Sequence, residues 1–324
     1  GGHSHGGGPH KELLTLAAEE IHTGVIGKVA FAYLVVFEEV VPVRVSHAGI
    51  VRVAAGQQTV PHLKVGVQSV LLHGGNDSYI EEFFDALLYL QKNGFDVYLF
   101  EGPGQGGVLR EQKMKFDHAW EKPVKAVLDY FKLDDVTIIG ASLGGYLAPR
   151  AAAFEKRISK VIAWSIFPDF FDILLADDPK LLRTVMDSMY KHNCAGVFNK
   201  LYRKMMDKSE LVKWNLLHGM YAYDAPDPVG YVKKIRQFTL KGIGDKITQD
   251  MLILAGRNDH MIFPSLFHEE YDLLSNTRSL ALQIYTDQDD AGSHCNMGNM
   301  KLALDTMIQW IATINGKNSS DENK

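Results

Sequence analysis

Val136-Thr137-Ile138-Ile139-Gly140-Ala141-Ser142-Leu143-Gly144-Gly145, followed by YLAPRAAAF up to Phe154, is the stretch that decides the fold. Its apolar, β-branched first half predicts a buried strand over Asp135–Gly140. Its small-residue second half predicts a helix over Leu143–Phe154. Between them stands G-x-S-x-G, which puts a serine on a turn too tight for neighbouring side chains. The turn also brings the hydroxyl to a helix N-terminus, where partial positive charge favours a developing anion. Ser142 is therefore the candidate nucleophile.

The same rhythm extends outward from this turn. Upstream, a strand over Gln68–Leu72 ends in His73-Gly74-Gly75, and an amphipathic helix over Tyr79–Asn93 stops at Gly94. A strand over Phe95–Glu101 and a helix over Trp120–Phe131 follow. Downstream come strands at Ile158–Ser165, Asp250–Ala255 and Leu280–Tyr285, then a last helix over Asn299–Thr313. Alternation of this kind predicts an α/β fold with a doubly wound, mostly parallel sheet. Its catalytic loops then lie at the carboxyl ends of the strands.

The rhythm breaks between Phe167 and Ile247, where helices are predicted over Asp172–Met189, Val197–Lys208 and Pro228–Phe238. An inserted helical cap at 167–247 is expected, splitting a core at 68–166 and 248–314. Trp214, His218, Tyr221 and Tyr223 are its candidates for substrate contact. Residues 11–67 lead into the core, with valine-rich strands expected at Val41–Val53 and Thr59–Val67. Residues 1–10, GGHSHGGGPH, read as a tag or cloning scar, and 315–324 as a polar, frayed tail.

A serine needs a base, and the base needs an orienting acid. Asp259 is the first carboxylate after the apolar strand MLILAG, and His294 lies past the last strand, before the final helix. His260 is expected to face elsewhere, and His268 to sit on a surface helix. Oxyanion donors are expected from the N–H of Leu143 and from the early glycine loop, with Gly75 first and Asn76 second.

Other patterns compete with this reading. Gly102-Pro103-Gly104-Gln105-Gly106-Gly107 satisfies G-x-G-x-x-G after a strand and would suit a dinucleotide. That fingerprint opens directly into a helix, whereas the charged VLREQKMKF predicts none before about His118. Asp287, Asp289, Asp290 and His294 lack a recognised metal spacing and read as a solvated loop. Cys295 beside His294 reads as packing. A decayed, non-catalytic binding protein is disfavoured because every triad member is present.

Together, HGGNDSYIEEFF, GFDVYLFEGPGQG, WEKPVKAVLDYF, IGASLGGYLAPRAAAFEKRI, LAGRNDH and SHCNMGNMKLALDTMIQWI carry a resemblance. The chain, from about Gln68 to Ile311, resembles an α/β-hydrolase subgroup. Its members are the esterase FrsA-like proteins, the fungal yellowish-green pigment hydrolases that shorten polyketides, and the pseudooxynicotine carbon–carbon hydrolases. The resemblance implies the α/β-hydrolase fold, a triad of Ser142, Asp259 and His294, and hydrolysis of an ester or ketone C–C bond. Where the carbon–carbon hydrolases carry an acidic residue in the oxyanion loop, this chain has Asn76. Amide hydrolysis and acyl transfer by the same triad remain open.

Composition bounds the partners. With 34 Lys and Arg against 39 Asp and Glu, the 324-residue chain has a net charge of −5 and no basic cluster. A small-molecule substrate is expected, without nucleic acid, membrane, cofactor or metal, and with a homodimer left open. The apolar run Val29–Phe37 is too short to span a bilayer. Two cysteines, Cys194 and Cys295, form no disulfide framework and suggest a cytoplasmic setting.

Overall fold

The structure is a computed structural model that describes residues 68–175, 184, 187–188, 190 and 195–321, with backbone alone for 211 and 318–321. It also gives the backbone of three early strands, β1 (Val29–Val36), β2 (Glu39–Ser46) and β3 (Ile50–Val53). The predicted strand at Thr59–Val67 lies outside the described residues, as does Cys194. The single strand expected over Val41–Val53 is instead two, paired antiparallel with Ser46 opposite Ile50.

Six further strands form the centre: β4 (Gln68–His73), β5 (Phe95–Phe100), β6 (Val136–Ala141), β7 (Ile158–Trp164), β8 (Asp250–Gly256) and β9 (Ser279–Tyr285). The sheet order is β1-β2-β3-β5-β4-β6-β7-β8-β9. The six strands from β5 to β9 run parallel, and β3 joins β5 antiparallel. The expected doubly wound, mostly parallel α/β sheet is thus present.

Strand alternation sends side chains to two layers. Leu71, Ile138, Val161 and Ile253 face α3 (Glu121–Phe131) and α4 (Gly144–Phe154). Val70, Leu72, Ile139, Ile162 and Leu252 face α1 (Phe84–Lys92) and α10 (Met300–Asp321). Strands covered on both faces carry nearly unbroken apolar runs, which is why β6 and β8 were readable.

Three helices depart from expectation. A five-residue helix, α2 (Gly106–Arg110), follows the GPGQG turn directly, although none was expected before His118. The last helix runs on to Asp321, through most of the expected tail. The insertion between β7 and β8 contains α5 (Phe170–Leu175), α6 (Ala195–Lys208), α7 (Glu210–Ala222) and α8 (Pro228–Ile235). Here α7 went unpredicted because its apolar residues surround it and leave no clean face. The two ends of the insertion meet at a neck, where Phe170 N–H donates to Phe238 O (2.9 Å) and Leu240 N–H to Pro168 O (2.8 Å). Among the described residues, no helix is long and apolar enough to cross a membrane.

Candidate active site

The chain leaves β4 for β5 on one side and later passes to β6 on the other, which makes the carboxyl ends of β4 and β6 a topological switch point. Ser142 follows β6 with φ at 59°, a left-handed conformation that costs about 1–2 kcal/mol for a residue with a Cβ. The surrounding glycines make that turn possible. A Cβ on Gly140 would lie 2.3 Å from Gly144 O, and one on Gly145 would lie 2.4 Å from Ser165 O. Ser142 N–H donates to Trp164 O at the end of β7 (3.1 Å), so the sheet itself holds the strained residue.

The other two arms reach Ser142 from β8 and β9. Asp259 is buried just past β8. Its Oδ1 accepts the N–H groups of Met261 (2.8 Å) and Ile262 (3.2 Å), which leaves Oδ2 aimed at His294. His294 Nδ1–H donates to that oxygen (2.7 Å), and Ser142 Oγ–H donates to His294 Nε2 (2.9 Å). The acid and histidine loops are joined by Asn258 N–H donating to Gly292 O (2.9 Å). After His294 the chain turns sharply, with Cys295 and Asn296 both left-handed. Asn296 Oδ1 accepts the Trp164 indole N–H (3.0 Å), and the Cys295 thiol donates to Trp164 O (3.4 Å).

Burial alone would lower the His294 pKa, but Cys295 and Asp259 outweigh it and hold the imidazole above its usual 6.5. His260 is exposed, its ring 5.9 Å from that of His294, and His268 is exposed on α9 (Ser265–Leu273).

The early glycine loop packs directly against Ser142 and Leu143. A Cβ on Gly75 would lie 2.7 Å from both Leu143 N and Ser142 Cβ, so only glycine fits. Gly75 does not supply a free donor, because its N–H is given to Ser78 Oγ (2.9 Å). Among the described residues, the N–H groups of Leu143 and Asn76 carry no hydrogen bond. Of the two loop residues expected from sequence, Gly75 first and Asn76 second, it is Asn76 whose N–H is unengaged. His73 beneath the loop is fully buried and neutral. Burial lowers its pKa to about 4 although its Nδ1–H bonds Gly74 O (2.9 Å).

The insertion residues divide. Tyr223 is completely buried, its hydroxyl donating to Asn76 Oδ1 (2.7 Å) and its ring stacked on Phe116 (4.7 Å). It supports the loop and is not part of an open wall. His218 Nε2–H reaches Asn76 O (3.4 Å) and stacks on Trp214. Trp214 is 49% exposed. Tyr221 is 40% exposed and lies under the Lys115 ammonium (3.7 Å).

Three residues that contribute here were missed from sequence. Glu101 directly precedes the GPGQG turn, and Gln105 lies within it. Glu101 accepts N–H groups from Ile80 (2.9 Å) and Gly107 (2.8 Å), and a Cβ on Gly106 would strike its carboxylate. The Gly107 N–H at the start of α2 thus serves the protein's own carboxylate and is not free for a dinucleotide phosphate. Glu270 on α9 is fully buried; Phe167 N–H donates to its Oε2 (2.6 Å), and Oε1 has no partner. Burial pushes this carboxyl up to about 8, against the pull of the Phe167 N–H and with help from Glu269. No group of His, Cys, Asp and Glu among the described residues could hold a metal ion.

Known proteins share this architecture. Residues 70–280 match the family model for the alpha/beta hydrolase fold. The 20-hydroxy-prefusarin hydrolase FUS2 of Gibberella moniliformis is 33% identical over 260 residues, covering 75% of this chain and 61% of that protein. Hydrolase LUC6 of a Fusarium species is 29% identical over 269 residues, covering 78% and 63%. The chain thus spans less than two thirds of the length of these relatives. Among solved structures, 2,6-dihydroxy-pseudo-oxynicotine hydrolase aligns with 92% of this chain and 71% of its own, at a TM-score of 0.59 and 19% identity.

Proposed function

The chain belongs to the α/β-hydrolase fold family, and from that premise we propose that it is a serine hydrolase cleaving a small-molecule ester or ketone C–C bond. One observation carries the reading. Asp259, His294 and Ser142 form an unbroken relay of 2.7 and 2.9 Å that ends on a strained serine beside two unengaged N–H groups.

The chemistry follows from that geometry. Ser142 Oγ attacks the substrate carbonyl carbon as its proton passes to His294 Nε2. The carbonyl oxygen becomes an oxyanion facing the N–H groups of Leu143 and Asn76. Collapse breaks the bond to the alkoxide or enolate leaving group, which takes the proton from His294. Water then attacks the acyl-serine, giving its proton to His294, and the acid departs with Ser142 re-protonated. Asp259 stabilises the imidazolium in both halves. A relative that is 33% identical and named a 20-hydroxy-prefusarin hydrolase supports hydrolysis of a small organic molecule. Neither a metal nor a cofactor is required by this scheme.

The test is covalent. A fluorophosphonate should label Ser142 alone, and Ser142→Ala should lose labelling and a thousandfold or more of turnover while staying folded. A panel of acyl esters, 1,3-diketones and acyl amides identifies the bond. Labelling at another residue, or full hydrolysis by folded Ser142→Ala, overturns the reading.

A further inference from the structure

The GPGQG motif has no part in the relay, yet its glutamine reaches the most sensitive peptide of the site. Gln105 is buried, and its hydrogen-bonding capacity is heavily used. Its Oε1 accepts Gly102 N–H (2.8 Å). Its two Nε2 protons go to consecutive carbonyls of the oxyanion loop, Gly74 O (2.9 Å) and Gly75 O (2.8 Å).

A trans peptide is planar, with its C=O and N–H pointing in opposite directions. The Gly75 carbonyl and the Asn76 N–H belong to one such plane. Whatever fixes Gly75 O therefore fixes where Asn76 N–H points. Gly75 has no side chain to resist rotation of that plane, because a Cβ there would collide with Leu143 N. The loop at this point needs an external hold. Gln105 holds the carbonyl side, and Tyr223 holds the Asn76 side chain from the insertion.

We propose that Gln105 is a positioning residue for the oxyanion hole: it locks the Gly75–Asn76 peptide so that Asn76 N–H faces the anion formed at Ser142. This rests on the serine-hydrolase reading and deepens it. A glutamine suits the task because one amide supplies two donors in a fixed fork, at a distance that spans two successive carbonyls. A carboxylate at the same place would face two carbonyl oxygens with no proton to give.

The lock acts only on the transition state, since a planar ester carbonyl gains little from the hole while the tetrahedral oxyanion gains much. Gln105→Met, which keeps the bulk and removes the donors, should lower kcat for p-nitrophenyl acetate by about ten- to a hundredfold. KM should stay within about twofold. Affinity for a trifluoromethyl ketone, which forms a Ser142 hemiketal oxyanion, should fall in parallel with kcat/KM. Gln105→Glu should be at least as impaired at neutral pH.

Three outcomes separate the ideas. Folded Gln105→Met with wild-type kcat and ketone affinity overturns the lock and leaves the serine-hydrolase reading standing. A rise in KM with kcat unchanged does the same, and makes Gln105 a packing residue. Wild-type protein that neither reacts with a fluorophosphonate at Ser142 nor turns over the ester overturns both. Circular dichroism and thermal melting of Gln105→Met establish that it is folded. If it is not, the tenfold or greater kcat loss must appear in folded Gln105→Glu, or the lock is wrong.

Discussion

The loops at the ends of β6, β8 and β9 and the helical insertion between β7 and β8 are built on different principles. The loops take their positions from strand register: Ser142 is tied to Trp164 at the end of β7, and Asp259 is fixed by two backbone N–H groups two and three residues onward. Beyond the backbone hydrogen bonds of its neck, the insertion takes its position from side chains, an aromatic cluster in which Tyr223 meets Phe116, Phe170, Tyr231 and Phe238. Backbone geometry carries the reacting groups, while side-chain packing carries the support. The first tolerates little adjustment, whereas the second can be repacked.

The largest expected effect tests the backbone-held half. Asp259→Asn should lower kcat by about four powers of ten, since the wrong imidazole tautomer is then favoured. A pH–rate profile sharpens the test. In the wild type, His294 must be neutral to accept the Ser142 proton, so kcat/KM should rise through a limb above pH 6.5, because its folded pKa is raised. Loss of the carboxylate should move that limb down. A limb that stays in place would mean that Asp259 does not govern the base.

The next prediction concerns the hinge between the two regions, where Glu270 lies buried against Phe167 at the start of the insertion. Its pKa is raised from 4.5 to about 8. Native protein therefore binds a proton that the unfolded chain releases above pH 4.5. The stability advantage is complete below that value and is lost as pH rises through about 8, a change of a few kcal/mol at most. Glu270→Gln should flatten the decline of Tm between pH 5 and 9. An unchanged slope would show that another group dominates.

The smallest effects test the side-chain-held half. Tyr223→Phe should lower kcat by up to about tenfold for short and bulky esters alike, because it releases Asn76 from behind. Trp214→Ala and Tyr221→Ala, both exposed, should change a small ester by less than about threefold. If Tyr223→Phe instead alters the preference between short and bulky substrates, the residue lines the pocket and the distinction drawn above fails.

What could be read from sequence follows the same line. Buried parallel strands declare themselves by apolar runs, so β6 and β8 were found with nearly correct ends, and the residues beyond β6, β8 and β9 could be named by order along the chain. That Gly75 N–H is engaged could not be read, because it depends on Ser78 three residues on. Gln105 was passed over because its partners are carbonyls of glycines 30 and 31 residues away, which leave no trace in spacing. Tyr223 was recognised as aromatic, but its depth was not, since burial inside a helical layer depends on neighbours from several elements.

Trp164 ends as a junction between chain segments distant in time as well as in sequence. Its carbonyl accepts from Ser142, 22 residues upstream, and from Cys295, 131 residues downstream, and its indole N–H donates to Asn296. Contacts of such long separation form late, because closing so large a loop costs entropy before any bond is gained. A nascent or refolding chain can thus complete β4 to β7 and set the serine turn while the histidine segment is still unattached. Protein in that state would be compact but inert, and turnover would count only those molecules in which the final strand and helix have docked.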